Sequence, residues 1–216
     1  MCRTTWKLAV LIVLVAAVSL TALGDQRAQA GHLSCGDVLT AGTHTLDADL
    51  TCAGVGLKVG ADGVTIDLNG YKLSGDGSNF GIDDTSTTPG GGFNDRTVKD
   101  GTIEGFSNGA RLYKPGGTID NVEFNNVSFI DNGSRGIELH NSTTYTNLDV
   151  IDSEFDGNGV GIRMASNADA DGINITGTTF NDHSLGFYQA NDGSTGDLQD
   201  LHIDDSTFTN HTHTAV

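Results

Sequence analysis

The sequence predicts an all-β protein, a parallel β-helix solenoid of about six coils with three short parallel sheets. Three observations predict this fold. Apolar residues recur at intervals of 25 to 30 residues, polar and apolar residues alternate around them, and only Gly, Asn and Asp occupy two further positions of each interval. Alternation with a period of two indicates strands with one buried face. Strands this short are stable only when stacked copies share a core.

Two apolar columns define the repeat. The first contains Leu73, Ile103, Phe129, Phe155, Phe180 and Phe208. The second, five residues earlier, contains Leu68, Val98, Phe124, Val150, Ile175 and Ile203. A third strand begins in each copy at a glycine followed by an apolar residue, for example Gly136-Ile137.

Bends fall at fixed positions relative to the first apolar column. Three residues before it stand Gly70, Asp100, Asn126, Asp152, Gly177 and Asp205. Two residues after it stand Gly75, Gly105, Asp131, Gly157, Asp182 and Asn210. Because these residue types tolerate a positive φ, we expect sharp corners at both positions.

The N-terminus has the features of a secretory signal. Arg3 and Lys7 precede an apolar run from Leu8 to Leu23, and the sequence 28–30 ends in the small-x-small pattern of a cleavage site. Residues 1–30 are therefore predicted to be a signal peptide, with an uncleaved membrane anchor as the alternative. We expect a secreted, periplasmic or extracellular protein that has no membrane partner after cleavage.

The segment after the signal is predicted to be an N-terminal cap over residues 31–63, followed by the coils over residues 64–216. Cys35 and Cys52 are the two cysteines left in the exported chain, so we expect them to form one disulfide. The last coil is incomplete and has no polar cap. This predicts either a fragment or self-association through the uncapped C-terminal coil.

The composition excludes a basic nucleic-acid-binding protein. The chain has 28 Asp and Glu against 11 Lys and Arg, a net charge of −17, whereas contact with phosphates needs clustered cations. We therefore expect no nucleic-acid partner. The same charge disfavours a polyanionic substrate, which only local arginines or bound calcium could hold.

The N-terminal part carries a resemblance to a known group. Its residues are Cys35-Gly36-Asp37, then Asp49 to Cys52, then Val64 to Gly70. This pattern resembles the start of secreted proteins of the right-handed parallel β-helix (pectate-lyase-like) superfamily. The resemblance implies a right-handed solenoid and a polysaccharide partner. It does not choose a reaction, because that group contains lyases, hydrolases, epimerases and non-catalytic surface proteins.

One outward row of side chains is the candidate site. In similar β-helix enzymes the substrate groove follows the strand that begins with the glycine step. Side chains one residue after the buried position point outward there. They are Asp83, Arg111, Glu138, Arg163 and Tyr188. Two residues further on, the outward row continues as Thr85, Tyr113, His140, Ala165 and Ala190.

These residue types suit β-elimination on a uronate-containing polymer. Arg111 and Arg163 could neutralise the sugar carboxylate, and His140 could be the base. Tyr188 or Tyr113 could be the acid. Glu138 is grouped with the catalytic residues, and Asp83 and Tyr113 with the substrate-binding residues.

Two other interpretations of the row stay open. The signs alternate along it, as in a salt-bridge ladder that only stabilises a sheet. Such a ladder fits a non-catalytic surface, adhesion or structural module. A glycoside hydrolase would use Asp83 and Glu138, which the coil spacing separates by about 9–10 Å.

Calcium is the predicted cofactor. Asn167, Asp169 and Asp171 place oxygen ligands at alternate positions before Gly172, like the opening of an EF-hand loop. An ordinary acidic turn is the alternative. Of the histidines outside the row, His183 and His202 are predicted to lie on the surface.

Overall fold

The computed structural model describes residues 32–85, 94–190 and 196–213. In this part of the chain all regular structure is β, no helix occurs, and parallel strands stack into a β-solenoid of about six turns. This confirms the predicted fold class. The strands are β1 (Val38–Leu39), β2 (Gly42–Thr45), β3 (Leu50–Thr51), β4 (Leu57–Val59), β5 (Val64–Asp67), β6 (Lys72–Ser74), β7 (Phe80–Thr85), β8 (Arg96–Glu104), β9 (Asn108–Tyr113), β10 (Gly117–Ile130), β11 (Arg135–Leu139), β12 (Thr143–Ile151), β13 (Glu154–Asp156), β14 (Val160–Met164), β15 (Asp169–Thr176), β16 (Thr179–Asn181), β17 (Leu185–Gln189), β18 (Leu198–Asp204) and β19 (Thr207–Thr209).

The strands form three faces. Face A is the seven-stranded sheet β1-β4-β7-β9-β11-β14-β17. Face B contains β2, β5, β12, β15, β18 and the first parts of β8 and β10. Face C contains β3, β6, β13, β16, β19 and the last parts of β8 and β10. Faces B and C are continuous because β8 and β10 run around the corner between them.

The strand register confirms the first apolar column. Leu73 pairs with Ile103, and Phe129 pairs with Phe155. The second column is confirmed except at its first member, because Ile66 rather than Leu68 pairs with Val98. The corner of that coil is two residues long, Asn69 and Gly70, and both have a positive φ. Ile66 and Leu73 are seven residues apart, whereas Val98 and Ile103 are five apart, so two extra residues put Leu68 out of phase with the later coils.

The corners follow the predicted bend residues. All six residues of the first bend column have a positive φ, and so do all residues of the second except Gly75. The sequence analysis did not identify the residues of a third column of corners. Its members also have a positive φ, and they are Asp95, Asn121, Asn147, Gly172 and Asp200.

Stacked phenylalanines and a column of glycines fix the core. The rings of Phe129, Phe155 and Phe180 stack at centroid distances of 4.8 and 4.7 Å. Gly136 faces them, and a Cβ there would lie 2.5 Å from Phe155 Cδ1 and 2.7 Å from the Gly161 carbonyl oxygen. No side chain fits at this position, so the glycine permits close approach of the coils.

The N-terminal segment is closed by a disulfide and already forms part of the solenoid. Cys35 and Cys52 form the expected disulfide. Strand β2 pairs in parallel with β5, from Gly42 with Val64 to Thr45 with Asp67, so the first turn of the solenoid lies within the segment predicted as a cap. The predicted signal peptide lies outside the described residues. Within the described ranges, no helix is long and apolar enough to cross a membrane.

Candidate functional site

Face A brings the predicted row together. The register runs from Asp83 to Arg111, from Arg111 to Glu138, from Glu138 to Arg163 and from Arg163 to Tyr188. Parallel strands lie about 4.8 Å apart, so each side chain neighbours the next. The second row is only partly outward. Thr85 pairs with Tyr113, but Ala165 and Ala190, predicted to point outward, are buried.

Arg111 is held by its neighbours on β7. Its Nη2 donates to Asp83 Oδ1 at 3.1 Å and to Thr85 Oγ1 at 2.8 Å. The guanidinium also lies 3.7 Å above the ring centroid of Phe80, which adds cation–π attraction. Thr85 donates to the same carboxylate of Asp83. Arg111 and Asp83 therefore satisfy each other.

Glu138 is the centre of the second half of the row. Arg135 Nη1 and Arg163 Nη1 lie 3.3 and 3.1 Å from Glu138 Oε1. Asn108 Nδ2 donates to Glu138 Oε2 at 2.6 Å. The carboxylate side chain is only 8% exposed, whereas the two arginines are 27% and 23% exposed. Two guanidinium groups thus share one buried carboxylate.

Aromatic rings flank the charged groups. The rings of Tyr113 and His140 are 4.2 Å apart at their centroids and tilted by 51°. His140 Nδ1 is buried and has no hydrogen-bond partner in the described structure. At the C-terminal end of the row, Tyr188 is 37% exposed. One ring pair thus lies in the second outward row, and the ring of Tyr188 neighbours Arg163 in the register.

The sequence argument missed residues of a third outward row. Phe80, Asn108 and Arg135 pair with one another on successive strands, one residue before the glycines. Strict alternation could not have found them, because it places a residue two positions before buried Ile137 on the inner side; the alternation breaks at Gly136, where a Cβ would point into the core. Lys58, in register with Asp83, extends the first row by one coil.

The two carboxylates of the row are occupied. Asp83 accepts from Arg111 and Thr85, and Glu138 is in contact with three cationic or amide donors. Neither is free to activate water or protonate a leaving group, as hydrolysis requires.

The proposed calcium ligands lie partly in a strand rather than in a loop. Asp169 and Asp171 belong to β15, where they are exposed on either side of buried Ala170. Asp169 Oδ1 accepts from the backbone N–H of Asp197. No cluster of three or more His, Cys, Asp or Glu side chains suited to a metal occurs in the described ranges. Calcium at Asn167, Asp169 and Asp171 stays a prediction.

The two histidines that were predicted to lie on the surface differ. His202 is exposed on β18, as predicted. His183 is 2% exposed, so its prediction as a surface residue is wrong. Its Nδ1 lies 2.9 Å from the Asn158 carbonyl oxygen, and burial lowers the pKa of the imidazole. The position is three residues after the Phe column, where the corner turns the side chain inward.

Comparisons with known proteins give little beyond the fold class. No family model matches the chain, and no curated protein matches it. Among solved structures, it is similar to a candidate glycosyl hydrolase from Parabacteroides merdae ATCC 43184, with a TM-score of 0.45 and 12% identity. That alignment covers 81% of each chain. The class that the structure defines is a parallel β-solenoid.

Proposed function

We propose that face A binds an acidic saccharide at Arg135 and Arg163. The observation that carries the proposal is the sharing of Glu138 by both guanidinium groups. One carboxylate compensates one of the two cations, so a positive charge remains at the surface. A guanidinium binds a carboxylate with two parallel hydrogen bonds, which matches a uronic acid.

The wider charge distribution supports this location. The outward rows of face A contain four cations and two carboxylates, in a chain whose net charge is −17. The cations are Lys58, Arg111, Arg135 and Arg163. A local excess of one sign attracts a ligand of the other over roughly one Debye length, about 8–10 Å. An anion is therefore drawn to face A rather than to the acidic remainder.

The aromatic residues supply the second element of saccharide binding. Tyr188 neighbours Arg163 in the register, and its ring is exposed. An exposed ring offers an apolar surface, and its hydroxyl offers a hydrogen bond. A sugar ring on Tyr188 would place its carboxylate within reach of Arg163.

Export fits the same proposal. The disulfide between Cys35 and Cys52 is typical of an oxidising compartment. Together with the predicted signal peptide, it supports a secreted or periplasmic protein that meets polysaccharide outside the cytoplasm.

A second candidate is β-elimination on the bound uronate, favoured by the Tyr113–His140 ring contact. His140 would remove the proton next to the carboxylate, and Tyr113 or Tyr188 would protonate the leaving oxygen. Arg163 and Arg111 would neutralise the sugar carboxylate. Glu138, held by its donors, would position the arginines.

The first experiment measures binding. We would titrate uronate and neutral oligosaccharides into the protein by calorimetry, comparing the unmodified chain with Arg163→Ala. Loss of a charge-assisted contact should weaken uronate binding about tenfold or more. Lys72→Ala is the matched control, since Lys72 pairs with Glu104 on face C, and it should leave binding unchanged. Equal affinities for all three proteins would refute the site.

A second measurement separates binding from catalysis. Incubation with the polymer is followed by ultraviolet absorbance of unsaturated products and by new reducing ends. Rising absorbance that His140→Ala removes would establish the lyase. Binding with neither signal would establish a non-catalytic module.

A further inference from the structure

The large hydrophobic side chains that are exposed in the described part of the chain lie in one row. They are Val38 and Tyr188, which are 64% and 37% exposed. Val38 on β1 pairs with Lys58 on β4, and Lys58 pairs with Asp83 on β7. Val38 is therefore the first member of the outward row of face A that ends at Tyr188, so the two side chains lie at opposite ends of this row.

The row spans the whole of face A. It takes six steps between paired strands from Val38 to Tyr188, which at about 4.8 Å a step is roughly 29 Å. Single exposed hydrophobic side chains are normal on a protein surface. These two, however, enclose a continuous row of five charged side chains, and that arrangement favours an elongated ligand.

Lys58 differs from the arginines of the row. Arg111 pairs with Asp83, and Arg163 pairs with Glu138. Lys58 is half-buried and forms no ion pair within the described residues. Its neighbour Asp83 is instead bound to Arg111, with Oδ1 and Nη2 3.1 Å apart. The positive charge of Lys58 is therefore uncompensated, and it is available to a carboxylate of a ligand.

Net positive charge lies at two places along the row. One is Lys58, and the other is the pair of arginines that share Glu138. Lys58 and Arg163 are four steps apart, roughly 19 Å at about 4.8 Å a step, and Asp83 and Arg111 between them compensate each other. A sugar unit in an extended 1,4-linked chain advances by about 5 Å, close to this step. Two uronates that are four units apart therefore match the two positive centres.

We infer that Val38 and Lys58 form a second binding subsite of face A, for an acidic polysaccharide chain that lies along the solenoid axis over five or more sugar units. Lys58 binds the carboxylate of a uronate four units from the one at Arg163, and Val38 packs against the apolar C–H face of the next sugar. This inference rests on the proposed function, because the site at Arg163 holds the other end of the chain. A single sugar or a disaccharide reaches only one of the two subsites.

Calorimetry with oligouronates of two lengths tests the second subsite. The probes are oligomannuronates of three and of six units, of which only the longer can reach both Arg163 and Lys58. We expect the six-unit oligomer to bind at least tenfold more tightly than the three-unit oligomer. Equal affinities for the two lengths, with both lost in Arg163→Ala, would overturn the second subsite and leave the proposed function standing. No binding of either oligomer would overturn both.

Substitution of Lys58 locates the effect on the row. Lys58→Ala should weaken binding of the six-unit oligomer about tenfold and leave that of the three-unit oligomer unchanged, whereas Lys58→Arg should retain the wild-type affinity. Val38→Ser should weaken binding of the six-unit oligomer about threefold. Lys72→Ala is the matched control, since it removes the same charge from face C. A Lys58→Ala chain that binds both oligomers as the wild type does, or an equal loss in Lys72→Ala, would contradict the subsite.

Discussion

Two pairs of buried polar side chains in the same solenoid are stabilised in different ways. Asn132 and Asn158 form an amide ladder beside the Phe stack, whereas Asp84 and Arg96 form an ion pair beside Phe124. The amides bond to the main chain at the corners. Asn158 Nδ2 donates to the Phe129 carbonyl, and its Oδ1 accepts from the Asn132 backbone N–H. Among the described residues, the charged groups of Asp84 and Arg96 have no polar contact besides the one with each other.

The difference shows which buried polar residues can be replaced without leaving other buried groups unpaired. Removing one of these amides leaves buried backbone groups of the corner without a hydrogen-bond partner, because no other group can reach them. Removing both charged side chains leaves no backbone group unpaired, because neither side chain bonds to the main chain in the described structure. Breaking a buried pair by one change is costly, while replacing both partners by apolar residues is often neutral or favourable.

The largest expected effect is that of Asn158→Ala. It leaves the Asn132 backbone N–H, the Asn132 side-chain amide and the Phe129 carbonyl without their present partner. We expect the free energy of unfolding to fall by about 3–5 kcal/mol, measured by urea denaturation. Asn181→Ala removes side-chain bonds to Asp156, Thr209 and Asn210, none of which involves a buried backbone group, and should cost less, about 1 kcal/mol. Equal losses would show that the buried ladder is no more important than the exposed one.

The ion pair should respond differently to single and double changes. Arg96→Met leaves the buried acid of Asp84 without its charged partner and should cost about 3–5 kcal/mol at neutral pH. Adding Asp84→Leu should recover that loss and could stabilise the chain by about 1 kcal/mol or more. The same urea titration measures both. A double variant as unstable as the single one would mean that the pair also supports the fold through bonds of its own.

The pH dependence of the free energy of unfolding measures the contribution of the Asp84 carboxyl group separately from that of Arg96. Burial raises the pKa of Asp84 to about 7, and attraction by Arg96 opposes the rise; unfolded, the value is about 3.9. Between these values the folded state keeps a proton that the unfolded state releases. The contribution of Asp84 to stability is therefore full below about pH 4 and is lost as the pH rises to about 7.

Asp84→Asn should remove this decline. The free energy of unfolding of the wild type, relative to that of Asp84→Asn, should fall by about 3 kcal/mol from about pH 4 to pH 7. Thermal unfolding across that range measures it. Parallel curves would show that Asp84 does not titrate there.

The smallest expected effect concerns His183, which follows Asn158 in the ladder position. Burial lowers the pKa of the imidazole, so its contribution to stability is present above the unfolded value of about 6.5 and is lost as the pH falls. His183→Asn should relieve this acid sensitivity by about 1 kcal/mol. Melting temperatures at about pH 5 and pH 8 test it; no change in their difference would contradict the role of His183.

The repeat was readable from sequence because its columns obey local rules. Alternation identified the row from Asp83 to Tyr188, and the requirement for a positive φ identified corners such as Asp100 and Asn126. Both rules act within one coil, and neighbouring coils repeat the same choice. The glycine steps were visible too, although only the structure shows that Phe155 needs the space at Gly136.

What escaped prediction depends on contacts between coils or on corner length. The two extra residues between Ile66 and Leu73 put Leu68 out of its column. Asn132 and His183 are polar residues at a corner, and alternation does not say that a corner side chain turns inward. The contact between Arg135 and Glu138 was not predicted, because the sequence analysis did not consider the row that contains Arg135.

The in-register stacking has a consequence for insertions and deletions. Phe129 sits directly above Phe155, so inserting or excising one whole coil would leave every column in phase and lengthen or shorten the molecule by one step. Deleting a single residue within a strand would instead turn all later side chains of that strand over, exchanging core for surface. The protein can therefore change its length only in complete turns, and a variant of different size would keep the same cross-section.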